Sequence, residues 1–348
     1  MDWLAIPLGY VMKGCMWLVS DNYVLALLLF ALAMQILLSP FGIKQQKNLI
    51  KQAYLRPKEM AIRKKYAGRN DRTTMQKVQN EIMQLQQEAG YSPLAGCLPM
   101  LLQLILIFPI YSVAIRPLEF VVGISQKTCA ALAAFVEKEL SIPMVGSSSY
   151  QIKLAGWLNN PDNLAKLPKE YTIEIEEGVF EAVPIAEEFA GHSSFPSVSM
   201  FGQDLSIDPW DAFGESFWWL VFIPILNLAL MYVSQYLSKK LQYQSTLQEQ
   251  ANGQMSSMKI MMLAMPLMTM FITFNFAAVI GIYWIFRTIL SMLQQFILYK
   301  AMPYPKFTEE DYKNAEKELK GKRVSSAPAN YVHGEREIRS LHHIDDDE

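Results

Sequence analysis

The chain has 348 residues, with 31 Lys and Arg balanced by 33 Asp and Glu for a formal net charge of −2, so no overall basicity marks it as a nucleic-acid binder. No Gly-rich phosphate loop, HExxH or GxSxG is present, and three of the four histidines, His333, His342 and His343, crowd into the last residues, which argues against nucleotide-driven, zinc-protease or serine-hydrolase chemistry. Mean hydropathy is only +0.12, but the apolar residues are segregated into long runs.

In chain order, residues 1–20 contain DWLAIPLGYVMKGCMWLVS, with neither a basic start nor an A-x-A cleavage pattern, and Cys15 follows Lys13-Gly14, a poor lipoprotein site. Only Asp21 and Asn22 separate this stretch from the next, too few for a comfortable reversal, so it reads as an interfacial amphipathic helix anchored by Trp3 and Trp17. Residues 21–43 form a first transmembrane span, since Tyr23 to Ile43 is uncharged over a length that crosses about 30 Å of hydrocarbon.

Residues 44–94 then read as a basic helical hairpin. Gln52 to Tyr66 ends at Ala67-Gly68, Asn70 or Asp71 can cap a second helix to Glu88, and Met75, Val78, Ile82 and Leu85 make its apolar stripe. The segment holds eleven Lys/Arg against four Asp/Glu, which assigns it to the cytoplasmic side.

A second span is expected over 95–115, and 116–215, with six Lys/Arg against fifteen Asp/Glu, falls outside as a small α+β insertion. Within it Val121 to Leu140 looks helical, whereas YTIEIEEGVFEAV alternates about a Glu-Gly turn as a strand hairpin does. Cys15, Cys97 and Cys129 have no metal spacing, and nothing in the pattern supports a Cys15 to Cys129 disulfide.

Residues 216–238 form a third span and 239–259 a cytoplasmic loop. Ile260 to Tyr299 carries one charge, Arg287, and as a single helix would reach about 60 Å, so it divides near Asn275 to Ala278 into spans at 260–276 and 277–299. Residues 300–348 are a cytoplasmic tail, with a charged helix over Phe307 to Lys320 and a disordered end. The fold class is thus an all-α polytopic membrane protein of five spans, amino terminus outside and carboxyl terminus in the cytoplasm.

On the last span Tyr283, Arg287, Ser291 and Gln294 recur on one helix face, with Thr288 and Gln295 alongside. An arginine near mid-depth costs about 2.5–3.5 kcal/mol on insertion scales, so it faces either a watery cavity or polar neighbours. Both readings stand, because Gln35, Ser39, Gln103, Asn227, Ser234, Thr269 and Thr273 offer neutral acceptors on other spans and no Asp or Glu does. Met258, Met261, Met262, Met265, Met268 and Met270 suit either bundle packing or a surface accepting varied apolar shapes.

LLSPFGIKQQKN after the first span, LRPKEMAIRKKY in the hairpin, YSPLAGCLPMLLQLILIFPIY and GIYWIFRTILSMLQQ together resemble the YidC/Oxa/Alb family of membrane protein insertases, in the bacterial form without the large periplasmic domain. The resemblance covers the five spans and both cytoplasmic loops, and leaves out the acidic insertion. It implies a five-helix insertase core with a groove open to the cytoplasm and lipid, in which a positive charge receives the polar segment of a nascent membrane protein. Trp284, with Tyr283 before it, matches the family's YW pair, and Gln103 matches the glutamine of its second span.

The family's groove arginine lies five residues before the exit-motif proline; here that proline is Pro40 and the position holds Gln35. Arg287 stands where relatives commonly have asparagine or serine, so relocation of the groove charge to the fifth span, with Gln35 as neutral partner, is the expectation. The family's proline and glycine between the last two spans are replaced by Phe276, Ala277 and Ala278.

The expected function is a non-enzymatic membrane protein insertase and chaperone without cofactor or metal. It would act in the bacterial plasma membrane on nascent membrane proteins, alone or with the Sec translocon. Arg287, Gln35, Gln103, Trp284, Tyr283 and Ser291 would contact substrate, and Arg56, Arg63, Lys64, Lys65, Arg69 and Arg72 would recruit substrate or ribosome, with no sequence-specific nucleic-acid binding. A small-solute or lipid transporter is the alternative, though the chain shows no internal repeat.

Overall fold

The computed structural model describes residues 2–20, 22–69, 71–89, 105, 108–144, 149–176, 179–192, 195–200, 202–213, 218–241, 256–321, 332–333 and 336–337. These are mostly helical and fall into two compact units. One comprises Met1–Leu37, Leu104–Ser234 and Leu263–Ser291, the other Leu38–Gln103, Gln235–Met262 and Met292–Glu348.

In the first unit, helix α1 (Asp2–Leu18) buries Ala5, Met12, Cys15 and Met16. Trp3, Ile6, Tyr10 and Trp17 line its exposed side, where the sequence places the interfacial anchors. Gly9 allows the ring of Phe120 to lie against the α1 backbone, since a Cβ there would come within 2.8 Å of it. Cys15 and Cys129 are both free and buried.

Helix α2 (Tyr23–Tyr54) begins in this unit with Tyr23, Leu27 and Phe30 fully enclosed. The Tyr23 hydroxyl donates to the Ala114 carbonyl at 2.6 Å, tying the first span to the helical stretch 108–115. Most of the expected second span lies outside the described residues.

Between residues 116 and 213 the chain packs two helices, α5 (Gln126–Leu140) and α6 (Tyr150–Leu158), around Leu118, Ile124, Leu132, Ile152 and Leu158. The expected helix from Val121 starts five residues late. Leu118–Val122 is a π-helical turn ended by Gly123 at φ 101°, a left-handed conformation that favours glycine, and Ser125 then caps α5 by accepting from the Thr128 amide. The strand hairpin is present as β1 (Glu170–Glu176) and β2 (Val179–Pro184), antiparallel, with Tyr171 opposite Val183 and Ile173 opposite Glu181.

Helix α7 (Phe222–Leu241), preceded by a 3₁₀ turn at Trp218–Val221, α8 (Ser256–Phe274) and α9 (Ala278–Ala301) correspond to the last three expected spans. Tyr23–Tyr54, Trp218–Leu241 and Ala278–Ala301 are long and apolar enough to cross a membrane, and Leu263–Phe274 is a shorter apolar helix. Met265 and Met268 on α8 are more than half exposed, so these two project outward from their unit.

The second unit contains the hairpin, α3 (Arg56–Lys65) and α4 (Arg72–Glu88), with Ile62, Val78 and Ile82 as its core and Tyr66 and Leu85 beside them. The expected helix from Gln52 is instead split. Its first residues continue α2 to Tyr54, and α3 starts anew at Arg56 with Pro57 in its first turn, where proline has no intrahelical amide bond to lose. Gly68, at φ 85°, makes the break, and Asp71 caps α4 by accepting from the Thr74 amide at 2.9 Å. The tail helix α10 (Glu309–Leu319) opens with a capping box in which the Thr308 amide and hydroxyl both donate to Asp311.

Candidate functional site

The face expected on the last span is borne by α9, an unbroken helix of 24 residues. Arg287 lies nine residues, about 14 Å, from its first residue. Tyr283 is buried, while Trp284, Arg287 and Ser291 are half-buried. Among the described residues the Arg287 side chain makes no hydrogen bond or ion pair. Gln35 is half-buried in the same unit and engaged in a contact of its own. Gln103 lies outside the described residues.

Two of the neutral polar groups named for Arg287 donate within α8. The Thr269 hydroxyl donates to the Met265 carbonyl at 3.0 Å and that of Thr273 to the Thr269 carbonyl at 2.7 Å, and each oxygen keeps lone pairs that can accept. Trp284 instead joins an aromatic series, its ring 6.2 Å from Phe276, which lies edge-on to Tyr111 at 5.7 Å.

What holds α9 in place comes from far away in the chain. The first amides of a helix have no partner within it. Here the Ala277 amide donates to the Ser149 hydroxyl at 3.1 Å, that of Ala278 to the Ile207 carbonyl at 2.9 Å, and that of Val279 to the Leu205 carbonyl at 3.1 Å. At the end of α8 the Phe274 carbonyl accepts from the Trp210 amide at 3.0 Å. Ala277 to Ile280 are wholly buried, and a Cβ at Gly281 would come within 2.6 Å of Ile223 and 3.0 Å of Thr273, so three helices meet there at close range.

These capping groups belong to the acidic segment, and the sequence reading missed them. The SSSY run does offer hydroxyls before α6, but which one meets a helix end 128 residues later is a tertiary fact. Nearby, Lys153 pairs with Asp208 at 2.7 Å. Burial pushes the Asp208 carboxyl above its ordinary range in spite of that ammonium.

On the hairpin, Lys64 pairs with Glu316 of α10 at 2.5 Å and Lys58 with Glu318 at 2.9 Å. Lys65 pairs with Glu81 across the hairpin at 3.0 Å, and the Tyr66 hydroxyl donates to the same carboxylate at 2.5 Å. Burial raises the Glu81 carboxyl, but the Tyr66 and Lys65 bonds outweigh it and hold the group below its ordinary value. Arg56 and Arg63 are half-buried on α3, whereas Arg69 and Arg72 are exposed at the turn and the start of α4. Glu59 is fully enclosed and accepts from Gln86 at 3.0 Å.

Long apolar helices joined by polar, charged connections define a multi-pass helical membrane protein. The family model described as 60Kd inner membrane protein matches residues 16–306, and the chain belongs to that family, the YidC/Oxa family of the sequence resemblance. Membrane protein insertase YidC 2 of Bacillus anthracis is 29% identical over 170 residues, 45% of this chain and 66% of that protein. Membrane protein insertase YidC of Oceanobacillus iheyensis is 34% identical over 110 residues, 32% of this chain and 43% of the relative. Membrane protein insertase MisCA of Bacillus subtilis is 32% identical over 114 residues, 33% of this chain and 43% of the relative. The chain thus spans 43–66% of the length of these relatives.

Proposed function

We propose that this chain is a membrane protein insertase and chaperone of the bacterial plasma membrane, with five crossings, its amino terminus and the 116–215 α+β insertion outside, and its hairpin and tail in the cytoplasm. The observation that carries the reading is Arg287, a half-buried arginine about 14 Å along an apolar helix and without a carboxylate partner among the described residues. A permanent charge so placed is costly in hydrocarbon and favours a hydrated face. With Tyr283, Trp284 and Ser291 on α9 and Gln35 as neutral partner, it would solvate the polar segment of a nascent membrane protein while the apolar helix of that protein partitions into lipid.

No nucleotide is consumed in this scheme. Coulomb attraction of an acidic segment strengthens as the groove loses water, and hydrated polar groups at depth lower the barrier to crossing. The hairpin cations would recruit substrate or ribosome, and the chain would act alone or with the Sec translocon.

The test is insertion of a single-span substrate with an acidic translocated segment into proteoliposomes containing the pure protein, comparing wild type with Arg287→Ala and Arg287→Lys. Insertion by wild type and Lys, with loss in a folded Ala variant, is the expected result. Equal insertion by all three would make Arg287 structural, and no insertion by wild type would overturn autonomous insertase activity.

A further inference from the structure

Helix α10 is acidic, with Glu309, Glu310, Asp311, Glu316 and Glu318 against Lys313 and Lys317. On α3 the side chains shown to meet it are Lys58 and Lys64, whereas Lys65 turns to Glu81 of α4 and the lone acidic residue of α3, Glu59, is turned inward to Gln86. The contact is matched in charge but shallow. Ala315 is the buried residue of α10, Leu319 is 46% exposed, and the two ion pairs lie in water, with Lys64 70% exposed.

A separate contact explains how so shallow a surface stays occupied. The Gln46 side-chain amide donates to the Met302 carbonyl at 3.1 Å and accepts from the Tyr304 hydroxyl at 3.1 Å, which pins the start of the tail against α2. From there four residues, 305–308, lead to α10. A tether this short gives an effective concentration on the order of millimolar, so an interaction of modest affinity between separate molecules is kept occupied within the chain.

We propose that the basic face of α3 is a docking site for an acidic amphipathic helix, occupied at rest by α10 and exchanged for an acidic helical segment of an incoming client. The client rests on the insertase reading, whereas the site itself does not. A helical protein ligand fits this face because the occupant presents a small apolar residue as well as carboxylates to α3, which a phosphate backbone does not. Recruitment is then gated, because a client helix must outcompete the tail before it reaches the hairpin.

The experiment uses the full chain in lipid nanodiscs and a fluorescent peptide spanning Thr308 to Lys320. Wild type should bind the peptide roughly tenfold or more weakly than the Glu316→Lys/Glu318→Lys variant, in which the chain's own helix is repelled and the site is vacated. The Lys58→Glu/Lys64→Glu variant should lose the peptide and bind instead a peptide carrying Glu316→Lys and Glu318→Lys. A peptide of the same composition with its carboxylates spread around the helix should bind weakly to every form. Hydrogen exchange of α4 confirms that each hairpin is folded.

Equal binding to wild type and the Glu316→Lys/Glu318→Lys variant would overturn the gating, and no binding to that variant would overturn the site. Tighter binding of a polyuridylate 20-mer than of the peptide would assign the face to nucleic acid and overturn the proposal. Because peptide occupancy is read without any insertion assay, its failure is distinguishable from failure of the insertase reading.

Discussion

The start of α9 and the seat of α10 are both helix docking sites, yet different forces hold them. Around Ala277 to Gly281 the contacts are hydrogen bonds from backbone amides to two carbonyls and one hydroxyl within a fully buried apolar setting, insensitive to ions and intolerant of volume change. Between α3 and α10 they are exposed ion pairs about one small buried residue, tunable by salt and by competing charge. The helix bearing the proposed groove charge is thus fixed by shape, and the tail helix is held by charge.

The largest expected effect tests whether the hairpin is independent of this distinction. Ile82→Ala removes a fully buried side chain from the hairpin core and should cost about 2–5 kcal/mol locally. Hydrogen exchange should rise in α3 and α4 and stay unchanged in the first turn of α9. Gly281→Leu should cost about 1–3 kcal/mol or more, because the added side chain meets Ile223 and Thr273; a lowered melting temperature in detergent is the readout.

A subtler cut is Ser149→Ala, which leaves the buried Ala277 amide without its acceptor and should cost about 1–2 kcal/mol. Faster amide exchange confined to the first turn of α9 would confirm that the acidic segment caps it. Smaller still is the effect of salt. Raising it from 0.15 to 1 M should loosen α10 from α3, seen as a longer spin-label distance between them, while exchange at α9 stays constant.

The smallest contrast lies in pH. Glu81 is held below its ordinary value, so its stabilisation is complete above the unfolded carboxylate pKa and is lost as pH falls through the folded one. Asp208 is pushed up, so its contribution has the opposite sign, being greatest below the unfolded pKa and lost as pH rises through the folded one. Acid titration should therefore loosen the hairpin, an effect removed by Glu81→Gln, without a parallel loosening around Asp208. Exchange at both sites reads the two responses separately.

Much of this architecture was legible because it is local. The Gly68 break, the Asp71 cap, the β1–β2 hairpin and the turn after Asn275 each follow from a few adjacent residues whose backbone preferences act over one or two turns. The late start of α5 was missed because the π turn before Gly123 looks helical by composition. The split between α2 and α3 was misplaced because Lys44 to Tyr54, though polar, lacks a breaker.

Within the candidate site, the α9 face carrying Tyr283, Arg287 and Ser291 follows from helical periodicity alone. The Trp284 to Phe276 to Tyr111 aromatic series and the Ser149, Leu205 and Ile207 acceptors do not, since each depends on segments brought together only by the completed fold.

The capped start of α9 also sets an order of assembly. Ser149, Leu205 and Ile207 leave the ribosome before Ala277, and synthesis favours folding from the amino-terminal side. The acidic segment can have its acceptors in position when α9 arrives, so the last apolar helix joins a prepared socket. Closing the 128-residue separation between Ser149 and Ala277 late, against an ordered surface, would limit the time that this helix end carries unsatisfied amides.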